Sequence, residues 1–342
     1  MKIKGDYPNR LPFFESLKVQ ELTDSYCRKN NIYIKGMYGS SKSFLVREIF
    51  RTKKQNIVWI LNDRESAAYH FNDIENFTDK NQCSFFPSSY KKNFEFNKKD
   101  SQNTFLRSNI IKNLGSHSKK IIISYPEAIF EKVLDKKEIK KKVLQIVKGQ
   151  KLLLEDLNEK LFEFNFIRQD FVSKPGEFSV RGGIIDVFSF SYKLPFRIEF
   201  NGEEIESLRA FEINSQTSNE SFDKIEILAD LENKDVAEDR KNIIELFDRD
   251  SLIILENKVF LQNELKNYFE KSKKQFDQNK ELKNLFFDGK NLDLDLKKFK
   301  TLEFNSKINK SFSFGIKPQP AFNKKFDLLI ETLIFYHKKN YQ

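Results

Sequence analysis

Cysteine, histidine, proline and glycine are all scarce in this chain of 342 residues, at 2, 3, 8 and 11. The two cysteines, Cys27 and Cys83, have neither a CxxC spacing nor a histidine beside them. They therefore indicate no disulfide framework and no zinc site, and each reads as a buried, unreactive thiol. His70, His117 and His337 stand apart from one another, which leaves no metal cluster and no Ser/His/Asp arrangement to nominate. With so little proline and glycine, and with 39% hydrophobic and 32% charged residues, collagen, long flexible linkers and an extended disordered chain are disfavoured. No run approaches the roughly 20 apolar residues needed to span a bilayer, and the opening MKIKGDYPNRLPFFESL lacks the apolar centre of a secretion signal. The expected compartment is the cytoplasm, with no membrane partner.

At roughly 150 residues per domain, this length predicts two domains. Lys and Arg (60) exceed Asp and Glu (50), for a net charge of +10, which favours an acidic partner such as nucleic acid. The whole chain leans toward Lys, Asn, Ile and Phe, with 36 Phe, the mark of AT-rich codons that would enrich Lys at any solvated position. Weak, sequence-independent DNA binding is the expectation that the charge supports.

The first part alternates strands and helices, the pattern of a parallel sheet with crossover helices. NIYIK (31–35) is a strand, 36–41 a loop and SFLVREIF (43–50) a helix. NIVWIL (56–61) is a buried strand, and Asn62 or Asp63 is placed to cap a helix from 65 toward 77. A helix over 103–114 and the strand KIIIS (120–124) follow, and the aromatic, basic stretch 85–100 reads as an exposed connection. A charged helical tract is expected over 135–148. Leu153, Leu157, Leu161 and Phe164 then line one helix face. Alternating strands follow over 171–190 and 196–211, where Arg197 between Phe196 and Ile198 is expected to face solvent and Asn201-Gly202 marks a hairpin. From 221 the helix and strand alternation returns, with 242–247 helical, SLIILE (251–256) a buried strand, 257–276 a basic helix and a last apolar helix near 326–336. The middle therefore reads as an α+β module inserted in an α/β domain.

Gly36 to Ser43 spells GMYGSSKS between a strand and a helix, close to the phosphate-binding pattern G-x-x-x-x-G-K-[ST]. Ser41 stands where that pattern has its second glycine, and its Cβ crowds the backbone amides that must wrap phosphates. Gly36, Gly39, Lys42 and Ser43 remain as a vestigial phosphate loop. A magnesium-holding partner needs an acid at the end of a later buried strand. Leu255 takes the place of the Asp there, followed by Glu256. No catalytic residue and no metal are expected, and ATP with Mg²⁺ enters only if the degenerate loop keeps some binding.

PGEFSVRGGIIDVF (175–188) and PFRIEFNGEEIESLRAFE (195–212) closely resemble the UvrA-binding module shared by the excision-repair helicase UvrB and the bacterial transcription-repair coupling factors. FFPSSYK (85–91), the helix over 107–114 and IIISYPEAIFEKV (121–133) resemble the first domain of the coupling factors, whereas the loop, the strand end and the short 85–100 connection depart from UvrB. The resemblance implies an α/β fold: a degenerate RecA/helicase-like P-loop domain with a parallel sheet over 1–135, an inserted UvrA-binding domain over 136–214, and the return of the helicase-like domain over 215–342. It implies UvrA recruitment in transcription-coupled excision repair without an ATPase of the chain's own. The family's ATP-dependent DNA translocase and its RNA polymerase contact belong to regions that nothing before Gln342 resembles, so an N-terminal portion is expected. An ATP-dependent DNA-remodelling enzyme using Gly36–Ser43 is the alternative. By resemblance, UvrA docks at Arg181, Phe188, Arg168 and Arg197. Read from the residues alone, Arg181 is equally a strand-end partner of Glu177 or Asp186, and Phe188 a core side chain.

Overall fold

The computed structural model describes residues 21–22, 25, 30–79, 81–91, 95–96, 100–114, 118–231, 239–304, 311–316, 318, 322 and 324–339. Cys27 and His117 lie outside the described residues. The chain opens with β1 (Asn31–Lys35), β2 (Ile57–Ile60), β3 (Cys83–Phe85) and β4 (Ile121–Ser124), separated by the helices Ser41–Lys53, Arg64–Phe77 and Ser101–Lys112. Local chemistry sets these boundaries. Asp63 accepts the Ser66 amide at 2.7 Å and Asp100 the Asn103 amide at 2.9 Å, so each helix starts on a carboxylate that satisfies an orphan N–H.

After β5 (Val133–Leu134) and β6 (Val143–Val147) the chain builds a second unit: β7 (Ile167–Arg168), β8 (Glu177–Arg181), β9 (Ile184–Val187), β10 (Phe196–Asn201), β11 (Glu204–Phe211), β12 (Ser218–Ser221) and β13 (Lys224–Leu228). It returns through β14 (Arg240–Lys241) to β15 (Leu252–Leu255), β16 (Lys300–Phe304) and β17 (Phe312–Ser313). The first and last groups form one seven-stranded sheet, β17-β1-β16-β15-β2-β4-β3, in which every pairing is parallel. IVWI, IIIS and LIIL in β2, β4 and β15 are buried along their whole length, as strands covered by helices on both faces must be. The second unit holds the six-stranded sheet β12-β11-β10-β9-β8-β7. Strands leaving for it pair antiparallel with those coming back, β6 with β13 and β5 with β14, so the excursion is closed at its neck. Ile146, Leu161, Phe178, Ile198, Ile225 and Ile227 lie in a core separate from that of the parallel sheet. This second core thus reaches past residue 214, because the returning strand β13 supplies Ile225 and Ile227.

Three local expectations change. The described residues of the 85–100 stretch are not an exposed connection: Phe86, Tyr90 and Phe96 are buried, and the Glu131 carboxylate accepts from the Ser89 amide at 2.9 Å and the Ser89 hydroxyl at 2.6 Å. The charged tract stays helical only over Lys136–Lys141 before VLQIV forms β6, since that run finds a cross-strand partner in β13. Leu153 is the exposed N-terminal flank of the helix Leu154–Glu163, while Leu157, Leu161 and Phe164 are buried as the spacing predicts. The helix Phe326–Lys338 forms, with none of its side chains buried. No helix among the described residues is long and apolar enough to cross a membrane.

Candidate functional site

Two places collect the residues singled out in the sequence. The first is the loop between β1 and the helix Ser41–Lys53. Gly36 and Gly39 have φ of +71° and +52°, so the two glycines do supply left-handed turns. A Cβ on Gly36 would also lie 3.0 Å from the Gly315 amide nitrogen. Ser41 does more than crowd the loop: its hydroxyl donates to the Tyr38 carbonyl at 2.7 Å and accepts the Tyr38 amide at 3.1 Å. The Ser41, Lys42 and Phe44 amides go to the carbonyls of Tyr38, Gly39 and Ser40. Amides that would cradle phosphate are therefore engaged within the loop.

The side chains are engaged as well. The Lys42 ammonium forms a buried ion pair with Glu256, at the end of β15, and lies 5.2 Å from the centre of the Phe304 ring. The Ser43 hydroxyl donates to Asp73 at 2.9 Å and lies 2.7 Å from His70 Nδ1. With its one proton given to Asp73, the serine oxygen is left to accept from the imidazole. Burial, reinforced by the Lys42 ammonium, pushes His70 down to about 3, so the ring is neutral at pH 7. In the sequence His70 stood only as an isolated histidine and Glu256 only as the residue after Leu255, while Asp73, on the next helix, carried no signal.

The second place is the face of the six-stranded sheet turned away from its core. Phe178, Ile185, Val187 and Ile198 point inward, so alternation puts Arg181, Asp186, Phe188 and Arg197 on the outer face. The hub is Asp186, a carboxylate 2% exposed that accepts from Arg181 and receives Arg197 at 2.8 and 2.9 Å. Arg197 also donates to the Gln216 carbonyl and side chain and lies 4.6 Å over the Phe211 ring. Its side chain is only 16% exposed, which corrects the solvent-facing expectation: an arginine can occupy an interior strand position when carboxylate and ring wait there. Phe188 is 5% exposed, a buried side chain on that face rather than an open aromatic anchor. Arg168 pairs in register with Phe178 and so belongs to the opposite face from Arg181. The structure thus joins Arg181 and Arg197 through Asp186 and does not bring Arg168 to them.

Arg181 remains 42% exposed, with its guanidinium 5.4 Å from the ring centre of Phe171. Phe171 is itself 63% exposed and Ile167, on the outer face of the edge strand, 58%. Neither was singled out in the sequence. Among the described residues no cluster of His, Cys, Asp or Glu could hold a metal ion, and burial pushes the Cys83 thiol up, in keeping with an inert side chain.

Residues 144–232, which span this sheet and its neck, match the UvrB interaction domain family. The chain is also similar to proteins named transcription-repair-coupling factor. The protein of Staphylococcus haemolyticus is 28% identical over 213 residues, covering 61% of this chain and 18% of that protein. The Bacillus subtilis protein is 26% identical over 193 residues, covering 56% and 16%. The matched stretch is thus less than a fifth of the length of these curated relatives.

Proposed function

We propose that this chain, which carries a UvrB interaction domain and is homologous to part of the transcription-repair-coupling factors, recruits UvrA through the outer face of its inserted sheet. One observation carries the reading: an arginine anchored from behind by a buried carboxylate, yet exposed and laid over an exposed aromatic ring, at the VRGG turn of the matching module. Such a guanidinium is held ready for a carboxylate on a partner, and its planar fork suits two parallel hydrogen bonds. In this role the module hands excision repair its damage sensor, and the parallel-sheet domain is the frame that carries it.

The same reading gives the chain no ATP turnover and no required cofactor, supported by the protein partners of Lys42, Ser43 and the Ser41, Lys42 and Phe44 amides. Hydrolysis, with or without DNA, that disappears in Lys42→Ala would overturn that part. For docking, UvrA is titrated calorimetrically into the wild type and Arg181→Ala. Truncating one side of a desolvated charge pair costs roughly 2 to 5 kcal/mol, so affinity falls about 30-fold or more. The fold survives, because Asp186 keeps Arg197. Unchanged affinity sinks the assignment.

A further inference from the structure

A cleft of about 870 Å³ opens in the parallel-sheet domain, between the C-terminal ends of the helices Ser41–Lys53 and Arg64–Phe77 and the start of β4. Five cations line it, Arg47, Arg51, Lys54, Lys119 and Lys120, against one carboxylate, Asp79, which already accepts from Gln82 at 3.1 Å. Two of the cations are fixed by protein partners, Arg47 on the Phe77 carbonyl at 2.9 Å and Arg51 on Glu48. Lys119 has a loose pair with Asp250 at 3.7 Å. No ion pair engages Lys54 or Lys120 among the described residues. Cations at helix C-termini complement the macrodipole, which accounts for Arg51 and Lys54; it does not account for Lys119 and Lys120, which come from the approach to a strand.

Lys54 adds a second argument. It holds φ +48° and ψ +47°, a left-handed C-cap, where glycine is the residue that fits without strain. A lysine stands there nonetheless, and it lines the cleft.

We propose that this cleft binds the phosphate backbone of duplex DNA. The proposal is independent of UvrA docking, which uses the other unit. Clustered Lys and Arg supply the counterion-releasing contacts that such binding needs, and neutral side chains of Thr78 and Asn81 line the same cleft. Its two aromatic residues offer no platform for a base: Phe50 is buried, and the half-buried Phe77 is stacked on Phe44 at 4.3 Å. Single strands are held largely by stacking on exposed aromatics, so a cleft of cations without such rings fits the outside of a duplex and reads no sequence.

The test is fluorescence anisotropy with a labelled 25-base-pair duplex, titrated at several salt concentrations, on the full chain and on Lys54→Gly/Lys120→Gln. Each phosphate contact contributes a slope of about 0.9 to the log–log salt dependence. The double variant therefore binds at least tenfold more weakly at low salt, with a slope shallower by about 1.8. Because glycine relieves the left-handed strain, Lys54→Gly alone melts no lower than the wild type while binding DNA more weakly, a combination that a merely structural lysine does not give. Lys273→Gln/Lys274→Gln, on the exposed surface of another helix, removes the same charge and leaves the slope unchanged. The proposal is overturned by an equal loss in that control, by no duplex binding in the wild type at low salt, by tighter binding of the matching single strand, or by inorganic triphosphate displacing the duplex at equal phosphate concentration.

Discussion

Asp186→Asn removes the charge at the centre of the proposed docking face while keeping the size of the side chain. The carboxylate is 2% exposed and holds two guanidinium groups. Breaking a buried pair by deleting one partner costs about 3 to 5 kcal/mol, because the other charge is left uncompensated. Here the cost is lower. Arg181 already reaches water, and Arg197 keeps the Gln216 carbonyl and side chain and the Phe211 ring, so the expected loss is about 2 kcal/mol. The assay exploits an accident of composition. The chain's one tryptophan, Trp59, is buried in β2 of the parallel sheet, whereas Asp186 belongs to the six-stranded sheet of the other unit. In urea, the far-ultraviolet dichroism midpoint of Asp186→Asn falls while the Trp59 fluorescence midpoint stays in place. UvrA affinity falls too, by less than in Arg181→Ala, since Arg181 remains but is no longer held. An unchanged dichroism midpoint would falsify the role of Asp186 as hub, and a matching fall in both signals would show that the two cores do not respond separately.

Two further outcomes concern the vestigial loop. Lys42→Met and Glu256→Leu each leave a buried charge unpaired and cost about 3 kcal/mol, whereas the double variant recovers most of the loss; urea midpoints read by Trp59 fluorescence, with equal losses adding in the double variant, refute a structural pair. His70 titrates near 6.5 when unfolded and near 3 when folded, so as pH falls the unfolded chain takes the proton first. Its contribution is complete above about pH 6.5 and is lost progressively down to about pH 3, at no more than about 1.4 kcal/mol per pH unit. Stability of His70→Gln, measured against the wild type at pH 7, 5.5 and 4, depends less steeply on pH, and parallel curves for the two proteins refute the assignment.

The sheets were legible where the chain states its own burial. Runs such as NIVWIL and KIIIS have no polar face to show water, and the alternation in FRIEF fixes which residues face the core, so the parallel sheet, the inserted module and the hairpin near Asn201-Gly202 all follow from local pattern. The hairpin shows how local the signal is: Asn201 pairs with Glu204, so the loop is Gly202-Glu203, with φ +63° at Gly202. What alternation cannot reveal is what covers the outer face. The sequence pointed to Phe188 as the aromatic anchor and carried no signal for Phe171. The segment after Phe171 folds back so that the Ser173 and Lys174 amides reach the Glu177 carboxylate at 2.9 and 3.2 Å. Val172 is thereby inside with Phe188, and Phe171 is left outside under Arg181.

The phosphate loop failed to declare itself for a related reason. Ser41 and Leu255 could be seen to depart from the pattern, but the pairing of Lys42 with Glu256, 214 positions away, depends on the whole parallel sheet bringing the end of β15 beside the loop. A lysine that reaches phosphate in one fold and a lysine that neutralises a buried glutamate in another have the same neighbours in sequence. The difference is which group waits at the far side of the sheet. Here that group carries the compensating charge, so a phosphate could gain Lys42 only by leaving Glu256 buried and unpaired, a cost of several kcal/mol set against the gain from the new contact. The same accounting runs the other way at Arg181. Its buried partner Asp186 keeps Arg197, so the guanidinium can turn toward a second carboxylate without stranding a charge, which is what the proposed docking of an acidic group on this face requires.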